Sequence, residues 1–100
     1  MKDMVDYSEG SIVSRIIEKT PEGNITIFSF DTGEELSEHT TPYNAYVEIL
    51  EGAASIVIGG KEVIAKEGEL VLMPANVPHA LYAKERFKML LIMLKSKGEK

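Results

Sequence analysis

From Ser11 to Leu94 the chain is built of short runs rich in β-branched and aromatic residues, and turns carrying Gly or Pro punctuate it every eight to twelve residues. Runs this short match strands, whose side chains alternate between two faces, better than helices, which need three or four turns to present an apolar stripe. The sharpest turn is Gly59-Gly60, between Ala53–Ile58 and the run Lys61 to Ala65. A two-residue hairpin of the primed type needs positive φ at both central positions, and glycine reaches it without steric cost. About eight short antiparallel strands joined in this way predict an all-β sandwich or barrel.

Along the chain, residues 1–10 show no clean period and read as an N-terminal arm. Ser11 to Glu18 reads as a strand because β-branched residues dominate it, although Ile12, Arg15, Ile16 and Lys19 also fit helical spacing. The next run, N-I-T-I-F-S-F-D, carries apolar residues on both faces, so both faces are expected to be covered. E-E-L-S-E then reads as an acidic loop delivering His39. Tyr43 to Leu50 alternates, with Ala45, Val47 and Ile49 on one face and Tyr46, Glu48 and Leu50 on the other. Leu70 to Met73 and His79 to Ala83 are short strands, separated by Pro74-Ala75-Asn76-Val77-Pro78, which two prolines keep out of any ladder. Phe87 to Leu94 fits either a buried closing strand or a helix with Phe87, Leu90, Leu91 and Leu94 on one stripe; the regular spacing before it favours the strand. Residues 11–95 are thus the barrel domain and 96–100 a charged, solvated tail.

One hundred residues suffice for one core, burying roughly 60 to 70% of the surface the unfolded chain exposes. The net charge of -5 argues against nucleic acid or an anionic membrane as partner, since both require a clustered basic footprint. There is no cysteine, so disulfides and thiolate chemistry are out. No apolar leader-like or spanning run follows Met1-Lys2-Asp3, and the expected location is the cytoplasm.

The chain has two histidines, and each stands in a turn-rich stretch beside an apolar run: His39 and His79. Around them, Gly33, His39 and Gly52, then Gly68, Pro74 and His79, fall on the spacing of two motifs. In both respects the chain resembles a small single-domain cupin, a double-stranded β-helix or jelly-roll barrel. The first motif there runs Gly, five residues, His, one residue, His, three or four residues, Glu, six residues, Gly. The second runs Gly, five residues, Pro, one residue, Gly, two residues, His, three residues, Asn. This sequence departs from them where the chemistry lies: Thr41 stands for the second histidine and Ala45 for the glutamate, while Asn76 and Ala83 replace the second motif's glycine and asparagine.

The resemblance implies that His39 and His79 are candidate metal ligands, for a divalent transition metal such as Zn, Mn, Fe or Ni. Two imidazoles form an open, under-coordinated set, because protein sites normally supply at least three ligands. Tyr43 is a third candidate for ligand binding, since it shares the parity of Ala45. Against these readings stands a structural one: neutral histidines at a barrel mouth, bonded to backbone or to each other. Met73, Met89 and Met93 read as core filler and the acidic residues Glu34, Glu35 and Glu38 as a solvated loop.

Three functional classes follow. The leading one is a barrel that binds a small molecule in its mouth, apolar through Val47, Ile49 and Leu81 and oriented by His39, His79 and Tyr43. The second is the metal-dependent enzyme of the dioxygenase, isomerase or decarboxylase type that the resemblance implies, or a metal-free variant with histidine as general base. The third is a non-catalytic structural or regulatory module. A homodimer is expected, because Tyr46, Leu50, Phe28 and Phe30 are read as outward apolar residues in need of cover.

Overall fold

The structure is a computed structural model and describes residues 2–95. The predicted tail, 96–100, lies outside the described residues. After a single 3₁₀ turn, Lys2–Met4, come nine strands: β1 Ile12–Thr20, β2 Gly23–Phe30, β3 Glu35–His39, β4 Tyr43–Glu51, β5 Ala53–Ile58, β6 Lys61–Lys66, β7 Leu70–Met73, β8 His79–Tyr82 and β9 Phe87–Lys95. They form two antiparallel sheets, one ordered β1-β2-β9-β4-β7 and the other β3-β8-β5-β6. This is the expected double-stranded β-helix, and Phe87–Lys95 is a strand, not a helix.

One strand was not read from the sequence. The acidic segment before His39 is β3, paired to β8 through Glu35↔Tyr82 and Leu36↔Leu81, with a register shift before His39↔His79. Leu36 is the one apolar residue in it, so alternation had nothing to alternate with, and backbone pairing alone reveals the strand.

The turns obey their residues. Gly59 and Gly60 take φ of 58° and 84°, the left-handed region that a primed hairpin requires. Asn76, which replaces the second motif's glycine, takes φ 65°, a conformation that Asn tolerates better than most residues because its short amide bonds locally. That loop is tied across the mouth: the Asn76 N–H donates to the Thr41 carbonyl at 2.8 Å, and the Ala75 N–H to Asn44 Oδ1 at 2.9 Å.

Between the sheets, Ala45, Val47 and Ile49 lie buried as their alternation predicted, packed with Ile56, Leu81, Phe87 and Met89. Phe30 and Phe87 are cross-strand partners, stacked with centroids 4.5 Å apart and planes 13° apart. Such a pair adds about 0.5–1.5 kcal/mol beyond the area it buries.

The two-faced apolar pattern of β2 has an answer that corrects the dimer argument. Phe28 and Phe30 face the barrel interior, and Phe30 is fully buried there, so neither needs a partner subunit. The opposite face, Ile25 and Ile27, joins Leu50, Leu90 and Ile92 under the chain's own arm, which contributes Met4 and Val5. The arm is held by several bonds: Ser29 Oγ donates to the Asp6 carbonyl at 2.9 Å and Lys88 Nζ to the Lys2 carbonyl at 2.9 Å. Tyr7 lies beneath two cations, Arg86 at 4.6 Å and Lys88 at 5.0 Å from its ring centroid, and donates its hydroxyl to Glu51 at 2.6 Å. These contacts satisfy Lys88, which is buried, and fix a segment with no periodicity of its own.

What stays open on this outer face is a narrower row. Leu72 and Tyr46 are cross-strand neighbours there, flanked by Leu70 and Leu94, and Tyr46 abuts Ile92 at the edge of the arm's cluster. Leu70, Leu72 and Leu94 are exposed.

Candidate functional site

His39 is the last residue of β3 and His79 the first of β8, and the register pairs them directly. Their rings meet edge to face, centroids 4.3 Å apart and planes at 69°. His79 is only 3% exposed, while His39 lies open at the mouth.

Each ring is fixed by its own strand entry or exit. His39 Nδ1 lies 2.7 Å from the Ser37 carbonyl oxygen and His79 Nδ1 lies 3.2 Å from that of Val77. A carbonyl oxygen can only accept, so both Nδ1 atoms carry the proton in these bonds. In the neutral rings both Nε2 atoms then keep their lone pairs, ready to accept a proton or ligate. Burial pushes the His79 pKa below the ordinary histidine value, and the His39 ring beside it pushes the same way, against the upward pull of the Val77 carbonyl. His79 is therefore neutral at pH 7.

Beneath the pair lies a cavity of about 300 Å³ between the sheets. Leu36, His39, His79 and Leu81 line it from one sheet, and Phe28, Ala45, Met73, Met89, Leu91 and Met93 from the other, with Thr41 at the connection. No lining side chain carries a carboxylate or an amine. A hollow of about 360 Å³ beside Glu35, Ser55 and Tyr82 is larger, but it is a more open groove and holds neither histidine. The cavity between the sheets is the better candidate, because walls on both sides can remove most of a small ligand's surface from water.

The structure thus brings His39 and His79 together and places Tyr43 elsewhere. Tyr43 opens β4 opposite Lys95, half-buried, and does not line the cavity. Val47 and Ile49 also do not line it; they belong to the filled core, whereas Leu81 is in the wall as expected. Sequence reasoning missed Phe28 and Leu36 and took the three methionines for filler. The available signal was parity: Ala45 is the register partner of both Met73 and Met93, but that needs the strand pairing to be known.

As a metal centre of the kind the motifs describe, the site is incomplete. The position of the motif's glutamate holds the buried methyl group of Ala45 and that of its second histidine holds Thr41, both in the cavity wall. Among the described residues no group of three or more His, Cys, Asp or Glu side chains could hold a metal ion. A two-histidine, one-carboxylate triad for iron therefore cannot be assembled from these residues.

The fold and this geometry agree with what the chain is similar to. The family model for the cupin domain matches residues 26–94. A cupin 2 conserved barrel domain protein from Leptotrichia buccalis is 43% identical with a TM-score of 0.92, over 95% of this chain and 46% of that one, so the chain spans about half of its length. A conserved protein of unknown function from Streptococcus pyogenes is 40% identical with a TM-score of 0.86, over 91% of this chain and 80% of that one. A cupin superfamily protein from Desulfitobacterium hafniense is 28% identical with a TM-score of 0.92, over 96% and 88%. No curated protein matches the chain. With Gly33, Gly52, Gly68 and Pro74 at motif spacing, two histidines paired at the barrel mouth and the family match running from β2 to β9, the chain belongs to the cupin family.

Proposed function

We propose that this cupin binds a small, largely apolar molecule in the cavity between its sheets, with His39 and His79 as the polar groups that orient it. The observation that carries the reading is a cavity of about 300 Å³ whose lining is aliphatic, aromatic and thioether except for two imidazoles and one hydroxyl. That volume is at the lower end of small-molecule sites, which points to a compact ligand. The ligand's complementary group is a hydrogen-bond donor such as a hydroxyl or protonated acid, because the free Nε2 atoms accept. A divalent ion such as Zn, Mn, Fe or Ni is less well served, since the motif supplies two ligands and no negative charge to offset the ion's desolvation.

Uptake of N-phenylnaphthylamine, a neutral apolar fluorophore, tests the reading. The wild-type protein should take it up, and Thr41→Trp, which fills the cavity from its connecting loop, should abolish uptake while leaving the melting transition in place. His39→Ala should weaken a hydroxylated ligand by about 1 kcal/mol, the usual worth of one hydrogen bond. Equal uptake by folded wild type and Thr41→Trp would put the binding elsewhere and overturn the reading.

The partner we infer for the row Leu70, Leu72, Tyr46 and Leu94 is a second copy of this chain. Its support is the adjacent half of the same face, which the arm already covers, leaving this row as the uncovered remainder.

A further inference from the structure

We infer that the metal ion suited to this cavity is Cu(I), held by Nε2 of His39 and His79 together with the thioethers of Met73 and Met93. The inference rests on the reading of the cavity as the binding site; with the ion bound, both Nε2 atoms ligate it and the Thr41 hydroxyl is the polar group left to the apolar molecule.

Ala45 on β4 is paired on one side with Met73 of β7 and on the other with Met93 of β9. Adjacent strands lie about 4.8 Å apart, so the two methionine backbones are separated by about 10 Å, with only a methyl group between them. All three side chains line the cavity. Where the family motif has its carboxylate, this chain has only the methyl group of Ala45, which leaves room beside two methionines that are its register neighbours. Methionine has three rotatable bonds and can swing its sulfur into that room.

The four donors also share one end of the barrel. His39 ends β3, His79 begins β8, Met73 ends β7, and Met93 lies two residues before the end of β9. The imidazoles come from one sheet and the thioethers from the other. The two Nδ1 bonds to backbone carbonyls fix ring orientation and leave Nε2 free, the outer-shell arrangement that ligating histidines need.

The donor set then selects the ion. Thioethers are soft and favour Cu(I), whereas Mn and Mg prefer carboxylate and carbonyl oxygens, and the only side-chain oxygen in this lining is the neutral Thr41 hydroxyl. All four donors are neutral. Desolvation rises with the square of the charge, so without a carboxylate a monovalent ion costs about a quarter of what a divalent ion of similar radius would. An ion at the mouth end leaves most of the cavity for the apolar molecule beside it.

The test is an anaerobic titration of the full chain with Cu(I) against bathocuproine disulfonate, alongside Met73→Leu/Met93→Leu and His39→Ala/His79→Ala. Leucine for methionine nearly conserves volume and keeps the core packed. Wild type should withdraw one Cu(I) per chain from the chelator, and each double variant should bind at least about tenfold more weakly. With Ag(I) as the closed-shell probe, the methyl resonances of Met73 and Met93 should shift and that of Met4 should not. No withdrawal of Cu(I), undiminished binding by the leucine variant, or unmoved methyl resonances would overturn the inference. Retained uptake of the apolar fluorophore alongside any of these would leave the cavity reading standing, and its failure in the preceding experiment would remove that reading instead.

Discussion

Val5 is the residue through which the arm acts on the barrel, and Val5→Ala tests whether the arm is part of the folded unit. Val5 is 5% exposed and packs on Ile27 and Leu90, exposed at 0% and 9%. The substitution removes two methyl groups, worth about 0.8 kcal/mol each in transfer free energy. Incomplete collapse around the vacancy adds a further term. Removing one buried methylene this way typically costs about 0.5–1.5 kcal/mol, so two give about 1–3 kcal/mol, centred near 2. The arm lies on the outside of a sheet and can settle inward, which keeps the value from the upper end. In urea, with a slope of about 1 kcal/mol/M for a domain this size, the midpoint should fall by about 2 M. The melting temperature should fall by about 8–16 °C. Ile16→Ala is the control: Ile16 is 61% exposed, and its loss should stay within about 0.5 kcal/mol. If Val5→Ala also changed stability by less than about 0.5 kcal/mol at an unchanged slope, the arm would not be packed as described. The second apolar cluster would then need another cover.

Two further outcomes follow from the same structure. His79 has a folded pKa below its unfolded value of about 6.5, so between the two the unfolded chain binds more protons, and stability is fully present above about pH 6.5 and is lost as pH falls. The slope stays below its limit of about 1.4 kcal/mol per pH unit, and His79→Gln should flatten it in urea titrations between pH 5 and 7; an unchanged slope would refute the assignment. Asp31, held low by the backbone N–H groups of Gly10 and Thr32, and Glu51, held low by the Tyr7 hydroxyl, lose their contributions only below about pH 4, outside that window. For the second copy, light scattering should give twice the chain mass for wild type and the monomer mass for Leu72→Glu; a monomeric wild type would refute it.

The particular residues show why the sequence could be read as far as it was. Ala45, Val47 and Ile49 alternate, Gly59-Gly60 allows one kind of hairpin, and the glycines, proline and histidines sit at motif spacing, all properties of a few neighbouring residues. These local constraints determined an all-β barrel, its main strands and the two histidines of the mouth. They did not reveal β3, whose acidic residues form a strand only because β8 offers a partner, or the arm, whose Val5 and Tyr7 acquire meaning from Ile27, Leu90, Lys88 and Glu51 far along the chain. Phe28 reads as outward because parity fixes which residues share a face but not which face meets the core; Tyr43 keeps the parity of Ala45 but stands at the start of β4, outside the cavity lining. Only the tertiary structure decided that the two imidazoles meet at 4.3 Å, that Met73 and Met93 flank Ala45, and that a cavity separates them. Each depends on strand pairing between distant segments, which is settled by the burial of the whole core and leaves no mark on any one stretch of sequence.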